Sequence, residues 1–136
     1  MPKPITVLIA DDNHHIRESL HVLLGSLENM TLLADACNGE QAIAMAAELN
    51  PDIILMDINM SPVNGFEATR KILKQQPGTR IIGLSLHVEA SYCRNMLRLG
   101  ARGYVTKSSP YTEIITAINE VFAGATYIDK KITGII

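Results

Sequence analysis

The stretch Pro51–Met60, PDIILMDINM, decides the fold. Ile53, Ile54, Leu55 and Met56 form an unbroken apolar run, the pattern of a strand buried on both faces. The run ends in a carboxylate, Asp57, where an ordinary turn residue would suffice. A second stretch has the same shape: in ITVLIADDN, Ile5–Ala10 runs into Asp11 and Asp12. One acid at a strand end is commonplace. Three acids at the ends of two apolar strands call for a chemical reason.

Outward from these two strands the chain alternates. Further apolar runs cover Thr31–Ala36, Arg80–Leu84 and Gly103–Val105, and Asp52–Met56 is the run already described. Amphipathic stretches lie between them. Ile16, Leu20, Leu23, Leu24 and Leu27 share one helical face, with Asn13 placed to cap it. Ala42, Ile43, Ala46 and Ala47 mark a second helix after an Asn38-Gly39 turn, and Phe66–Lys74 a third after Asn64-Gly65. Tyr92, Met96 and Leu99 stripe a fourth, which Gly100 stops. Ile114, Ile115, Ile118, Val121 and Phe122 stripe a fifth, opened near Pro110. Five strand–helix units in strict alternation predict an α/β, doubly wound parallel sheet with helices on both faces. Such sheets bind ligands at the carboxyl ends of their strands, where the strand order reverses.

The bulk properties narrow the function classes. The 136 residues suit one domain with a single sizeable core. A net charge of −2 leaves no basic face able to dominate binding to a phosphate backbone. Cys37 and Cys93 stand far apart without a Cys-x-x-Cys, as free thiols in a reducing compartment would. The N-terminal apolar run is too short for a signal peptide, and no segment reaches the ~20 apolar residues of a membrane span. A soluble, cytoplasmic domain is expected, with no membrane partner. The tail AGATYIDKKITGII is too short for a domain, and its apolar end looks cut.

In this architecture Asp11, Asp12, Asp57, Ser85 and Lys107 all follow strands and rise at one sheet edge. Three close carboxylates raise one another's pKa unless a cation sits among them. A hard site of oxygens with room for water suits Mg²⁺, which commonly also takes a phosphate oxygen. Lys107 adds a compact positive charge and Ser85 a hydroxyl donor. These are the parts needed to hold a phosphoryl group on an aspartate.

The motifs IADD, ILMDINM, LSLH and GYVTK, at these intervals on alternating elements, resemble the response-regulator receiver domain of two-component signalling. The resemblance covers roughly residues 5–122. It implies a (βα)5, flavodoxin-like receiver fold with a five-stranded parallel sheet of order 2-1-3-4-5. NGEQAI, LSLH, GARGYVTK and AGATYI further resemble the NarL/FixJ (LuxR-type) branch of transcriptional regulators. That implies a receiver over 1–124, with 125–136 as the start of a linker to an absent C-terminal domain. Such a domain is of helix-turn-helix type and binds DNA, so DNA is reached only through it.

Residue by residue, the resemblance makes Asp57 the phosphoacceptor and Asp12 the direct Mg²⁺ ligand, with Asp57 and the Asn59 backbone carbonyl beside it. Asp11 acts on the metal through water. Ser85 becomes the switch hydroxyl, Lys107 the partner of the phosphoryl group, and Tyr104 the aromatic that swings inward when Ser85 moves. The implied partners are a sensor histidine kinase and, on phosphorylation, a second copy of the chain. No enzyme activity is implied beyond the domain's own phosphoryl uptake and autodephosphorylation. One departure stands out: the family commonly places proline four residues after the phosphoacceptor, where this chain has Ser61, followed by Pro62. That shift frees an amide in the loop.

Plainer readings exist for single residues. Asp11-Asp12 alone could be a helix N-cap, Ser85 structural, Lys107 a solvated charge and Tyr104 packing. His14 and His15 are adjacent and do not share a helix face, which disfavours a shared metal; an exposed place near a kinase-docking surface suits them better. His87 falls near the mouth of the site. Rival functions fit less well. An aspartate-nucleophile phosphatase needs an acid where Asn59 stands. A flavin domain needs a phosphate-cradling loop where ADDNHH stands. A receiver that never takes phosphate would not need the full residue set, and only the Ser61-Pro62 shift favours it.

Overall fold

The computed structural model describes residues 3–86 and 88–133; His87 lies outside the described residues. Six parallel strands form one sheet, in the order β2-β1-β3-β4-β5-β6. They are β1 (Ile5–Ala10), β2 (Met30–Ala36), β3 (Ile53–Asp57), β4 (Arg80–Ser85), β5 (Gly103–Thr106) and β6 (Tyr127–Ile128). The connecting helices are α1 (His14–Gly25), α2 (Gly39–Leu49), α3 (Gly65–Gln75), α4 (Ala90–Leu99) and α5 (Tyr111–Phe122), with a last turn, α6 (Lys130–Thr133).

The apolar runs are continuous because both faces of the sheet are covered. Along β1 and β3, Val7, Ile9, Ile53 and Leu55 pack with Leu20 and Leu24 of α1 and Ile114, Ile118 and Val121 of α5. Their neighbours Leu8, Ala10, Ile54 and Met56 point the other way, onto Ala42 and Ala46 of α2, Ala68 and Ile72 of α3, and Met96 of α4. Each fully buried Leu or Ile contributes roughly 1.5–3 kcal/mol of transfer free energy. A charge on either face of β3 would therefore be expelled, and the chain keeps its acid for the strand's last residue.

The helix starts explain the Asn-Gly pairs. Asn13, Asn38 and Asn64 are N-caps, and their side-chain carbonyls accept from the amides of Ile16, Gln41 and Glu67 at 3.2, 2.8 and 2.9 Å. Gly39 and Gly65 are thus the first helical residues rather than parts of free-standing turns. At Gly65 a Cβ would lie 2.3 Å from the Asp57 carbonyl oxygen, so only glycine lets α3 close against the end of β3. Gly100 ends α4 in the left-handed region, at φ 111°.

The expected five-strand order is present, and β6 extends it. Tyr127 and Ile128 pair with Gly103 and Tyr104 of β5. Two residues carry too little periodicity to announce a strand, so the sequence pattern does not reveal it. The segment expected to begin a linker packs onto the sheet up to α6, with Ile132 buried in the core.

Candidate functional site

Strand order reverses at β1: its chain successor β2 lies on one side and β3 on the other. Ala10 pairs with Met56, so Asp11 and Asp57 leave neighbouring strands together. The cleft outside those strand ends is the place where such sheets bind ligands. It measures about 310 Å³ and is lined by Asp12, Asn13, Asp57, Asn59 and Lys107 among others.

The acids occupy different environments. Asp11 and Asp57 are buried and Asp12 is exposed. Ligand oxygens of all three lie within 4.8 Å of one another. The Lys107 ammonium reaches Asp11 Oδ2 at 2.7 Å and Asp57 Oδ1 at 3.2 Å. No other donor reaches Asp11 Oδ2 among the described residues. Asp11 Oδ1 accepts from the Asn13 amide at 2.8 Å, and Asp57 Oδ1 from the Asn59 amide at 3.0 Å. Among the described residues both contacts of Asp57 fall on Oδ1, and none reaches Oδ2.

Burial pushes the Asp57 carboxyl up to about 6. The Asn59 amide works against that rise, Asp11 adds to it, and Lys107 opposes it. Mutual repulsion among the acids is thus real but second to desolvation. The donor set fits a hard divalent cation: three carboxylates converge, two of them buried, and among the described residues the Lys107 ammonium offsets them.

Ser85 and Tyr104 complete the edge. The buried Ser85 hydroxyl donates to Asn59 Oδ1 at 3.2 Å. Tyr104 is fully buried, in the inward position, between α4 and the sheet. Burial raises its phenol to about 12, and a hydrogen bond with Ser85 works the other way. The Lys107 amide donates to the Ser85 carbonyl at 2.7 Å, so the backbones of Ser85 and Lys107 share one rung.

His14 and His15 are exposed and stand outside the acid cluster; His14 pairs with Glu18 at 3.4 Å. Cys93 is buried, Cys37 is exposed and both are free. Ser61 and Pro62 sit in a loop closed by the Gly65 amide on the Ile58 carbonyl. Two further residues support the site from outside it. Arg17 donates to the Asp11 carbonyl at 2.7 Å and pairs with Asp35 at 3.7 Å, tying down the loop that carries Asp12. Gly65 supports Asp57 from behind. The Asn-Gly pair flagged Gly65; nothing in sequence spacing distinguishes Arg17 from a surface cation.

A parallel sheet with an acid cluster and a lysine at its switch point defines a signalling receiver. The family model for the response regulator receiver domain matches residues 7–119, and the chain belongs to that family. It is 38% identical to the transcriptional regulatory protein DegU of Brevibacillus brevis, over 95% of this chain and 55% of that protein. It is 36% identical to the response regulator GacA of Pseudomonas aeruginosa, over 94% of this chain and 60% of that protein. The chain thus spans little more than half the length of these curated relatives. Among solved structures, a LuxR-family two-component response regulator from an Aurantimonas species superposes with a TM-score of 0.93. Identity there is 29%, covering 97% of this chain and 94% of that one. The response regulator domain of Thermotoga maritima CheB gives 0.83 at 32% identity, covering 89% and 98%. The relatives and the LuxR-family structure place the chain with NarL/FixJ-type receivers. Among the described residues no helix is long and apolar enough to cross a membrane.

Proposed function

We propose that Asp57 accepts a phosphoryl group from the phosphohistidine of a sensor histidine kinase. The observation that carries this reading is the Asp57 carboxylate itself, buried at a cleft and held on Oδ1 by Asn59 and Lys107, with no partner on Oδ2 among the described residues. A P–O bond forms to Oδ2 as the P–N bond breaks, and the imidazole departs with the electron pair. The product is an acyl phosphate. Lys107 already bridges two carboxylates and offsets the charge gathered at the site. Asp12, Asp57 and the Asn59 carbonyl would hold magnesium, with Asp11 acting on it through water, and the ion would supply further charge neutralisation. The chain's own work is positioning and preorganised electrostatics. Water later hydrolyses the acyl phosphate in the same site, so the domain catalyses only its own uptake and dephosphorylation.

The phosphoryl oxygens are stronger acceptors than Asn59 Oδ1, and they draw the Ser85 hydroxyl toward them. Tyr104, hydrogen-bonded to Ser85, follows that choice, so phosphorylation biases a two-state packing of α4, β5 and α5. The readout is dimerisation of this chain and control of an output domain joined through the segment from residue 125. That domain is of helix-turn-helix type, binds DNA and works in the cytoplasm. The shorter span of the chain relative to DegU and GacA supports this arrangement.

Incubation with Mg²⁺ and acetyl phosphate should add the mass of one phosphoryl group on Asp57. Labelling of Asp57→Asn at the wild-type rate overturns the assignment.

A further inference from the structure

Lys107 sits in the turn between β5 and α5, and three of its neighbours there are gripped from one direction. Asp129, 2% exposed, divides its carboxylate between two tasks. Oδ1 accepts the Lys131 amide at 2.9 Å and so caps α6. Oδ2 accepts three donors from the Lys107 turn: the Thr106 amide at 3.0 Å, the Thr106 hydroxyl at 3.2 Å and the Ser109 hydroxyl at 2.5 Å. The Lys131 ammonium adds hydrogen bonds to the Ser108 carbonyl and hydroxyl at 3.2 and 3.1 Å. The Asp129 amide donates to the Tyr104 carbonyl at 2.9 Å, and Ile132 is buried in the same apolar cluster as Tyr104. The Lys107 amide, for its part, is bonded to Ser85. The backbone of Lys107 is therefore held between the switch hydroxyl's strand and the C-terminal segment.

We propose that Asp129 is a positioning residue for Lys107, and that residues 127–133 form a clasp through which the position of Lys107 is passed to whatever chain follows. The inference rests on the phosphoacceptor reading of Asp57. Capping a one-turn helix needs one carboxylate oxygen. The second oxygen, with three donors drawn from the residues flanking Lys107, has no role in that cap. Its geometry ties the lysine's turn to the segment leaving the domain. Because coupling between two sites is reciprocal, a clasp that holds Lys107 in reach of a phosphoryl group is itself tightened when one is bound.

Asp129→Ser tests this, since a serine hydroxyl keeps the cap on α6 and loses the grip on Thr106 and Ser109. Labelling of Asp57 by acetyl phosphate at saturating Mg²⁺ is expected to slow about fivefold, while Mg²⁺ affinity, measured calorimetrically without phosphoryl donor, does not fall. A purely structural role for Asp129 lowers both together, and that outcome overturns the proposal, as does labelling at the wild-type rate. A wild-type chain that takes no label sinks the Asp57 reading instead. Should the variant fail to fold, amide exchange in the wild-type chain decides. With Mg²⁺ and fluoroberyllate, the Thr106 and Lys131 amides are expected to exchange at least threefold more slowly. Unchanged exchange at both amides overturns the clasp.

Discussion

Asp57 and Asp129 are both aspartates, both at the carboxyl ends of strands, and both buried, at 1% and 2% exposure. Their acidities move in opposite directions. Burial lifts Asp57 to about 6, and the Asn59 amide and Lys107 do not bring it back because Asp11 pushes with the burial. Burial also lifts Asp129, but the Ser109 hydroxyl, the Lys131 amide and the Thr106 amide and hydroxyl outweigh it, and the carboxyl ends below its ordinary range. Surface exposure is nearly the same, but Asp57 lies deeper in the protein and the supply of donors differs. Asp129 is saturated with neutral donors. Asp57, the proposed phosphoacceptor, is left with an oxygen that has no partner among the described residues and with a like-charged neighbour, the condition in which a cation improves its electrostatics.

The largest break in this comparison comes from behind Asp57. Gly65→Ala forces a Cβ against the Asp57 carbonyl. A loss of roughly 2–4 kcal/mol of stability is expected, read by urea denaturation, with slower labelling of Asp57. The ionisation of Asp57 itself comes next. Its folded value of about 6 stands above the ordinary 3.8, so the folded state binds the proton more tightly. That contribution is complete below pH 4, is lost as pH rises through 6, and leaves the metal-free fold carrying a cost on the order of 2 kcal/mol at pH 7. Asp57→Asn removes that cost: without Mg²⁺ its thermal midpoint at pH 7.5 is expected to exceed the wild type's by roughly 3–6 °C. An equal or lower midpoint would show that Lys107 compensates Asp57 fully.

The opposite sign applies to Asp129. Its folded value is depressed, so its contribution is present above the ordinary carboxylate range and is lost as pH falls through the folded value. Asp129→Ala is expected to cost about 1–3 kcal/mol at pH 7. The gap from wild type should narrow as the medium is acidified below pH 4, in denaturation curves recorded at matched pH values. A third acid supplies the control. Glu67 is held below its ordinary range by a hydrogen bond from Arg70, but it lies at the surface. Glu67→Gln should move the thermal midpoint by less than about 1 °C, and high salt should erase even that.

Most of the fold is legible in the chain because burial on both sheet faces writes itself as unbroken apolar runs. Ile5–Ala10 and the Ile53–Met56 run need no structure to be recognised. The three asparagine caps are also local, yet only one of them is evident from sequence, since Asn38-Gly39 and Asn64-Gly65 read equally well as turns. β6 is not legible at all: two residues cannot display a period, and its pairing with β5 is a tertiary event. Within the site, Asp11, Asp12, Asp57, Ser85 and Lys107 are legible because topology sends the ends of parallel strands to one edge. Arg17 is not, because its role depends on reaching back to a carbonyl that sequence spacing does not place beside it.

By itself the chain's order of apolar runs and acids determined the alternating architecture, the edge where chemistry gathers and the identity of its carboxylates, because those follow from backbone periodicity and strand direction. Only the folded molecule decided which Asp57 oxygen Asn59 and Lys107 hold, that Tyr104 lies inward, and that Asp129 grips the turn carrying Lys107. Hydrogen-bond donors from distant parts of the chain set each of these, and no local pattern announces where distant donors will converge.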